Sequence, residues 1–247
     1  LEENFNGKTI ASKEELAAQT ALTLSGSDGA AVQTGAAMGG RNGSDSSLAV
    51  TSGAEGEETV LAWTADGAIP EDTIVLEQSV LVKSGASLEL RAGLDAAQPA
   101  QASIALFDTE GKLLVNGQDT GRQWQPDRFY RVVAVIDRAA RTWSVYINGE
   151  ACAEDAAIGV EGITGLAGLE AVLSGGGAAF DDFKVHTGEY VPGADDISVT
   201  ARTDDCIVSE GEKIIYIQPG TDRDALLGLL TLDNCELDTV YADTSLT

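Results

Sequence analysis

Two adjacent carboxylates, Asp181 and Asp182, interrupt an apolar segment and could bind a cation. In FDDFKV, the two-residue period of a β-strand places Asp181 on the same face as Phe183 and Val185. That face is apolar, so we expect Asp181 to point inward, where a carboxylate needs hydrogen-bond donors or a cation. The alternatives are a carboxylate that accepts backbone N–H bonds and one that is simply exposed.

A second candidate is GRQWQPD, in which an aromatic ring stands among hydrogen-bonding side chains. Sugar binding requires a flat aromatic face and polar groups that reach the hydroxyls. Trp124 supplies the face, and the polar groups are those of Arg122, Gln123, Gln125 and Asp127. The segment therefore predicts a ligand-facing Trp124, with a partly buried loop anchor as the alternative.

Nucleophilic catalysis finds little support in the sequence. A nucleophile–histidine–acid triad would have to use His186, because the chain has a single histidine. We expect His186 to be an ordinary surface residue, and Cys152 then has no base to activate its thiol. The glycines after Ser174 precede a strand rather than a helix, so we interpret them as a turn and not as a phosphate-binding loop.

The charge balance excludes whole classes of partner. The chain has 40 acidic and 15 basic residues, and its formal net charge is -25 at pH 7. A polyanion repels nucleic-acid phosphates and anionic lipid, so we expect neither as a partner. No run of about 18 apolar residues is present, and we therefore expect no membrane insertion.

The start of the chain and its cysteines bear on where the protein works. The chain begins at Leu1 and its single methionine is Met38, which we interpret as a mature chain that has lost an export signal. We therefore expect a secreted or surface-attached, extracellular protein. Cys152, Cys206 and Cys235 show no zinc-binding spacing. The last two could form a disulfide, although we favour three small buried thiols.

The elements that must position these residues are mostly β-strands. Clusters rich in Gly, Ala, Ser and Asp separate β-prone runs, and long helical periodicity is missing as far as residue 188. The predicted strands are residues 46–52, 73–83, 87–93, 102–107, 112–115, 128–136, 142–148, 168–173 and 179–187. One helical turn is predicted after Ser12, which would be its N-cap, with Glu15 completing a capping box.

Residues 128–149 carry the clearest strand pattern. In RFYRVVAVI both faces are largely apolar, so we expect this strand to be covered on both sides. In the following strand, Trp143, Val145 and Ile147 share one face and polar residues share the other. The dipeptide Asn148-Gly149 favours a type I′ turn into a third strand, and the sequence predicts an antiparallel meander.

The pattern changes at GEYVPGAD, residues 188–195, where we place a domain boundary. The predicted domains are residues 1–190 and residues 195–247. In the second, ISVTA and KIIYI are predicted strands, a helix with a leucine stripe begins after Thr221, and CELDTVY is the last strand. This small β-β-α-β unit has about fifty residues, near the lower limit for independent folding.

The segments DRFYRVVAVIDRAARTWSVYINGEACAED and AAFDDFKVHTG resemble the laminin-G-like, concanavalin-A-like jelly-roll domains. The shared features are an aromatic-led strand, an acidic turn, an Asn-Gly strand end and a closing Asp-Asp strand; EENFNG resembles the first strand. The resemblance covers residues 1–188. It implies a mainly β, two-sheet antiparallel jelly-roll sandwich whose first and last strands are close together. The segment KIIYIQPGTDRDALLGLL resembles small modules of surface proteins from Gram-positive bacteria.

The same resemblance implies a structural Ca²⁺ where the first and last strands meet. Its oxygen ligands would come from Glu2, Glu3 and Asn4 on the first strand and from Asp181 and Asp182 on the last.

Relatives of this fold include glycoside hydrolases of the laminarinase type, whose catalytic strand carries Glu-x-Asp-x-Glu. The closest match is Glu236-Leu-Asp238, but position 240 is valine and the segment lies outside the jelly roll. We therefore favour a non-catalytic extracellular module that binds carbohydrate or a glycoconjugate in a bacterial protein. A structural or adhesion domain that recognises protein is the alternative, and an atypical glycan-active enzyme is the third possibility.

Overall fold

Strands make up most of the residues that the structure describes, as the sequence predicts. The computed structural model describes all residues except 27–28, 36–45, 54–56, 96–100, 161–162, 193–197, 203–205, 210–213, 219, 222 and 234–247. The chain divides into two units, Leu1–Val191 and Pro192–Thr247. No helix among the described residues is long and apolar enough to cross a membrane.

The first unit contains fifteen strands and one helix among its described residues. In chain order they are β1 (Glu2–Glu3), α1 (Lys13–Gln19), β2 (Leu22–Gly26), β3 (Ala31–Gly35), β4 (Ser47–Thr51), β5 (Glu58–Ile69), β6 (Thr73–Val82), β7 (Ser87–Gly93), β8 (Gln101–Phe107), β9 (Lys112–Val115), β10 (Gln118–Gln123), β11 (Phe129–Asp137), β12 (Thr142–Ile147), β13 (Glu150–Ala157), β14 (Leu166–Ser174) and β15 (Gly177–Thr187). Strands β2, β3, β5 and β10 were not predicted from the sequence.

These strands form two antiparallel sheets, which confirms that part of the prediction. Sheet A has the order β13-β12-β11-β6-β15-β4-β3, with β1 paired to β15, and sheet B has the order β10-β9-β8-β7-β14-β5-β2. Alternate residues of both sheets join one apolar cluster, because a strand with one apolar face buries it against another layer. Trp143, Phe107 and Phe180 are among its largest fully buried side chains.

The predicted meander is confirmed as β11, β12 and β13. Val132 pairs with Ile147 and Ile136 with Trp143, and β12 continues into β13. Asn148 and Gly149 have φ of 52° and 79°, the positive values that a type I′ turn requires. This meander forms one edge of sheet A and positions the outward side chains of β11 and β12.

The predicted N-terminal helical turn is also present, as α1. The Ser12 hydroxyl accepts a hydrogen bond from the backbone N–H of Glu15 at 3.2 Å. The Glu15 carboxylate accepts from the N–H of Ala11 at 2.7 Å, one residue before the position expected for a capping box. Leu16 buries its side chain in the core cluster and attaches the helix to the first unit.

A small cavity lies between the two sheets, and it is too small for a sugar or a similar ligand. Leu76 and Val132 of sheet A and Leu90, Ile104 and Leu169 of sheet B line a cavity of about 20 Å³. A single water takes about 30 Å³ of liquid volume and needs only about half of that as free space, so one water fills the cavity.

The second unit has strands β16 (Ser198–Ala201), β17 (Cys206–Ser209), β18 (Ile214–Ile217) and β19 (Leu230–Asp233), and helix α2 (Arg223–Leu229). β16 pairs with β19 and β17 with β18, both antiparallel. The helix was predicted to continue to Asn234, but it ends at Leu229 because Leu230 begins β19. The predicted strand CELDTVY and the partner cysteine Cys235 lie outside the described residues.

Candidate functional site

Strand β6 lies at the centre of sheet A and carries one charged residue, Glu77. Ile74, Leu76 and Val80 belong to the core cluster, so the alternation of the strand turns Glu77 to the opposite face. The carboxylate is nevertheless largely shielded, with a side-chain exposure of 11%. A shielded carboxylate requires donors to remain in place.

Arg131 and His186, on the two neighbouring strands, both contact Glu77. Arg131 on β11 donates from Nη2 to Glu77 Oε2 at 2.6 Å, and its own side chain is 11% exposed. His186 on β15 places Nε2 at 2.9 Å from Glu77 Oε1. Burial raises the pKa of Glu77, but hydrogen bonds from Arg131 and His186 and the charges of Arg131 and Lys184 outweigh it, so the net pKa is lowered. Glu77 is therefore a carboxylate at neutral pH.

Asp181 is fully buried, but it lies on the same outer face as Glu77. The register between β15 and β6 shifts between Asp181 and Lys184, and Asp182 has a φ of 49°, which marks a bulge. Phe180 before the bulge and Phe183 after it both belong to the core cluster. The bulge therefore separates Asp181 from the face of Phe183, and the inward orientation that regular alternation predicts is wrong.

The strand registers place the polar residues of sheet A in neighbouring rows. Tyr146, Val133, Glu77 and Lys184 form one row across four strands. Arg131, Ser79 and Asp181 form the next row. The Ser79 hydroxyl lies 3.5 Å from Asp182 Oδ2. We call this surface the Glu77 face, and its residues are Glu77, Ser79, Arg131, Val133, Tyr146, Asp181, Asp182, Lys184 and His186.

The predicted sugar-binding aromatic, Trp124, lies elsewhere and is 6% exposed. Its indole N–H donates to the carbonyl oxygen of Asp108 at 2.9 Å, and its ring meets Phe107 edge-on with centroids 6.0 Å apart. This is the loop-anchor arrangement, because a ring packed in the core cannot stack on a sugar.

The polar neighbours of Trp124 contact separate parts of the first unit. Arg122 donates to Glu150 Oε2 at 2.6 Å, and Asp127 pairs with Lys83 at 2.5 Å. The backbone N–H of Gln125 donates to the Tyr130 hydroxyl, and Gln123 ends strand β10 opposite Lys112. These groups do not converge around an exposed ring.

The predicted calcium ligands are partly brought together. β1 pairs with β15, with Glu2 opposite Lys184 and Glu3 opposite Phe183, so the first and last strands meet. Glu3 forms an ion pair with Lys8, while Glu2 and Asn4 are exposed. Within the part of the chain that the structure describes, no three His, Cys, Asp or Glu side chains are grouped to hold a metal ion. Calcium stays a prediction.

The two residues considered for nucleophilic chemistry have different surroundings. His186 is not an isolated surface residue, because it contacts Glu77. Burial raises the pKa of the Cys152 thiol, which outweighs the opposing effect of Arg122. Cys152 is therefore a poor nucleophile at neutral pH.

Sequence reasoning missed Glu77, Arg131 and Tyr146 as candidate site residues. Glu77 stands in TIVLEQSVLV and Arg131 in FYRVVAVID, two otherwise largely apolar strands. A charged residue in the middle of an apolar strand is costly unless it is paired. Two opposite charges of this kind in one predicted sheet are the signal that could have identified the pair.

Comparison with known proteins identifies the fold but no family. No family model matches the chain, and no curated protein matches it significantly. A solved structure titled "Sialidase" is 11% identical with a TM-score of 0.54, and the similarity covers 76% of this chain and 18% of that one. "Cellulose induced protein, Cip1" is 12% identical with a TM-score of 0.52, and the similarity covers 73% of this chain and 98% of that one.

A third structure is the catalytic domain of a GH131 β-glucanase from Podospora anserina. It is 13% identical with a TM-score of 0.44, and the similarity covers 65% of this chain and 81% of that one. Identities this low show the fold alone. The chain also spans only about a fifth of the sialidase chain that it resembles.

The prediction of a non-catalytic binding module is wrong. Trp124, the aromatic residue that was predicted to bind sugar, is buried in the core. The fold that suggested a binding module is shared with a sialidase, so it does not indicate a non-catalytic protein. The third possibility of the sequence analysis, a glycan-active enzyme, agrees better with these findings.

Proposed function

We propose that the first unit is a jelly-roll sandwich that hydrolyses a glycan, with the Glu77 face as its active site. The observation that carries the proposal is Glu77 itself, a largely shielded carboxylate that Arg131 and His186 keep ionised on an outer sheet face. The similarity to a sialidase and to the cellulose-induced protein supports a carbohydrate as the substrate. The chain would be the atypical glycan-active enzyme of the sequence analysis.

Glycoside hydrolysis uses two carboxylic groups, one on each side of the scissile bond. Glu77 pairs with Lys184, and Ser79 two residues further along β6 pairs with Asp181. Glu77 and Asp181 are therefore diagonal neighbours, whose β-carbons are typically about 7–8 Å apart. Carboxyl groups are about 5–5.5 Å apart in retaining enzymes and about 6.5–9.5 Å apart in inverting ones. The exposed Asp182, next to Asp181, lies 3.5 Å from the Ser79 hydroxyl and brings a second carboxyl group to the same pair of strands.

The environments of these groups suggest their roles. The ionised Glu77 suits the base or the nucleophile, since both act as carboxylates. The exposed Asp182 would be the acid that protonates the leaving oxygen, because the neighbouring Asp181 is fully buried. Glu77 stands on β6 and the aspartates stand on the neighbouring strand β15, so their carboxylates can meet without the Glu-x-Asp-x-Glu spacing on one strand.

The test is release of reducing ends from a panel of neutral and sialylated oligosaccharides by the full chain. Glu77→Gln removes the charge and keeps the size of the side chain. Glu89→Gln is the matched control, because Glu89 also forms an ion pair on an outer strand face, with Arg91 of sheet B. Release that Glu77→Gln abolishes and Glu89→Gln preserves supports the proposal, and a wild-type chain that cleaves none of the panel overturns it.

Two expectations from the family resemblance remain proposals. The first is an extracellular location, with residues 195–247 as an accessory module. The second is a structural Ca²⁺ near the β1–β15 pair, with ligands from the first strand and from Asp181 and Asp182. A native-state ligand stabilises the folded protein, so calcium should raise the melting temperature relative to chelator. An unchanged melting temperature at saturating Ca²⁺ would overturn the calcium proposal.

A further inference from the structure

Two tyrosines lie together beside the Glu77 face. Tyr146 on β12 and Tyr190, just after β15, have ring centroids 5.2 Å apart at an interplanar angle of 49°. Trp143, Val145 and Ile147 of the same strand belong to the core cluster, so Tyr146 lies on the outer face of sheet A. Both tyrosines are partly exposed. The pair is thus an aromatic surface outside the core.

The row that contains Tyr146 leads directly to Glu77. Tyr146 pairs with Val133, and Val133 pairs with Glu77. Two strand spacings separate Tyr146 from Glu77, which is about 9–10 Å. Val133 between them is 1% exposed and has a short side chain. The row therefore has a tyrosine at one end and a carboxylate at the other, with a covered valine between them.

We infer that Tyr146 and Tyr190 form a sugar-stacking subsite of the active site proposed above, on which this inference rests. An aromatic ring presents a negative π-face, which attracts the C–H groups on the flat face of a pyranose. The distance to Glu77 is about the length of two sugar units. A ring stacked on the tyrosines would place a bond of the same oligosaccharide beside the carboxylate.

The charges nearby select a neutral sugar. Glu77, Asp181 and Asp182 are three acidic residues on one face, and the whole chain carries a net charge of -25. Arg131 and Lys184 are the arginine and lysine cations of the face, and Arg131 already hydrogen-bonds Glu77. The three carboxylates outnumber these two cations, so an anionic sugar is repelled. A pyranose with equatorial hydroxyls fits best, because it presents C–H groups on its flat face.

The test measures KM and kcat for the cleavage of neutral gluco-configured oligosaccharides of two and four units. The wild type is compared with the variants Tyr146→Ala, Tyr190→Ala and Tyr146→Phe. Stacking of this kind is worth about 0.5–1.5 kcal/mol, so each alanine variant should raise KM about 2- to 13-fold with kcat nearly unchanged. Tyr146→Phe keeps the ring and should therefore recover most of the affinity that Tyr146→Ala loses. Tyr130→Phe is the control, because Tyr130 packs against Phe107 in the core instead. Melting curves exclude unfolded variants.

The outcomes separate this inference from the proposed function. Cleavage with an unchanged KM in both alanine variants overturns the subsite and leaves Glu77 as the catalytic group. A preference for sialylated over neutral substrates overturns the assignment of a neutral sugar. If the wild type cleaves nothing, the proposed function fails. Binding at the tyrosines is then tested by itself, by following their NMR resonances while the four-unit oligosaccharide is added. Binding that both alanine variants lose supports it, and no binding overturns it.

Discussion

Arg131 Nη2 donates a hydrogen bond of 2.6 Å to Glu77 Oε2, and both side chains are largely shielded from solvent on the outer face of sheet A. The two residues lie on adjacent strands in neighbouring rows, because Arg131 pairs with Ser79 and Glu77 pairs with Val133. A pair of this kind fixes the position of the carboxylate and keeps it charged. Removing one partner leaves the other charge shielded and uncompensated.

Arg131→Met should therefore destabilise the first unit by about 2–3 kcal/mol, since it leaves Glu77 without its closest donor while keeping a side chain of similar length. Tryptophan fluorescence in a urea titration measures this unit alone, because Trp63, Trp124 and Trp143 all lie within it. The double variant with Glu77→Gln should recover part of the loss.

The control for this experiment is Arg138→Met. Arg138 also donates to a carboxylate at 2.6 Å, but its partner Asp72 is exposed. Exposed pairs contribute little, so the control should change the free energy of unfolding by less than about 0.5 kcal/mol. Equal small effects from both substitutions would contradict a shielded, structurally important Glu77–Arg131 pair.

The lowered pKa of Glu77 predicts a pH dependence of stability. A carboxyl group whose folded pKa lies below its unfolded value of about 4.3 stabilises the fold above that value. The contribution disappears as the pH falls through the folded pKa. The gap in urea midpoint between wild type and Glu77→Gln should therefore be constant from pH 7 to pH 5 and should shrink towards pH 3. A gap in urea midpoint that stays constant down to pH 3 would contradict the lowered pKa of Glu77.

Substitution of Trp124 should lower the stability of the first unit rather than the turnover of substrate. Trp124→Ala empties a core site and should cost about 3–5 kcal/mol. Trp124→Phe loses the hydrogen bond to Asp108 and should cost about 1 kcal/mol. Urea titration gives both values, and turnover of the glycan by Trp124→Phe should equal that of the wild type. A stable Trp124→Phe variant that has lost turnover would restore Trp124 as a ligand-binding residue.

The strand pattern was readable from the sequence where alternation is regular. The meander around Asn148-Gly149 is an example, because the turn dipeptide and both flanking strands give consistent signals. Strand β10 was missed because Gln118–Gln123 is a polar edge strand without apolar alternation. Strand β5 was missed although it is long, since Ala, Thr and Gly dilute its pattern.

The candidate site was harder to predict, because it depends on register and on one bulge. Asp181 was recognised as a buried carboxylate, but the positive φ of Asp182 moves Asp181 to the other face of the sheet. Glu77 stands on β6, far in sequence from Arg131 and Tyr146 on the consecutive strands β11 and β12. Only the pairing of β6 with β11 and of β11 with β12 places them in neighbouring rows.

The central claim is that Glu77 is a catalytic carboxylate, and the rate of glycosidic cleavage by Glu77→Gln tests it most directly. On whichever oligosaccharide of the panel the wild type cleaves fastest, Glu77→Gln should lower kcat at least about 100-fold while the folded state persists, because acid–base groups contribute about 10²–10⁴ in rate. Glu89→Gln should retain the wild-type rate. A folded Glu77→Gln variant with wild-type kcat would contradict the account.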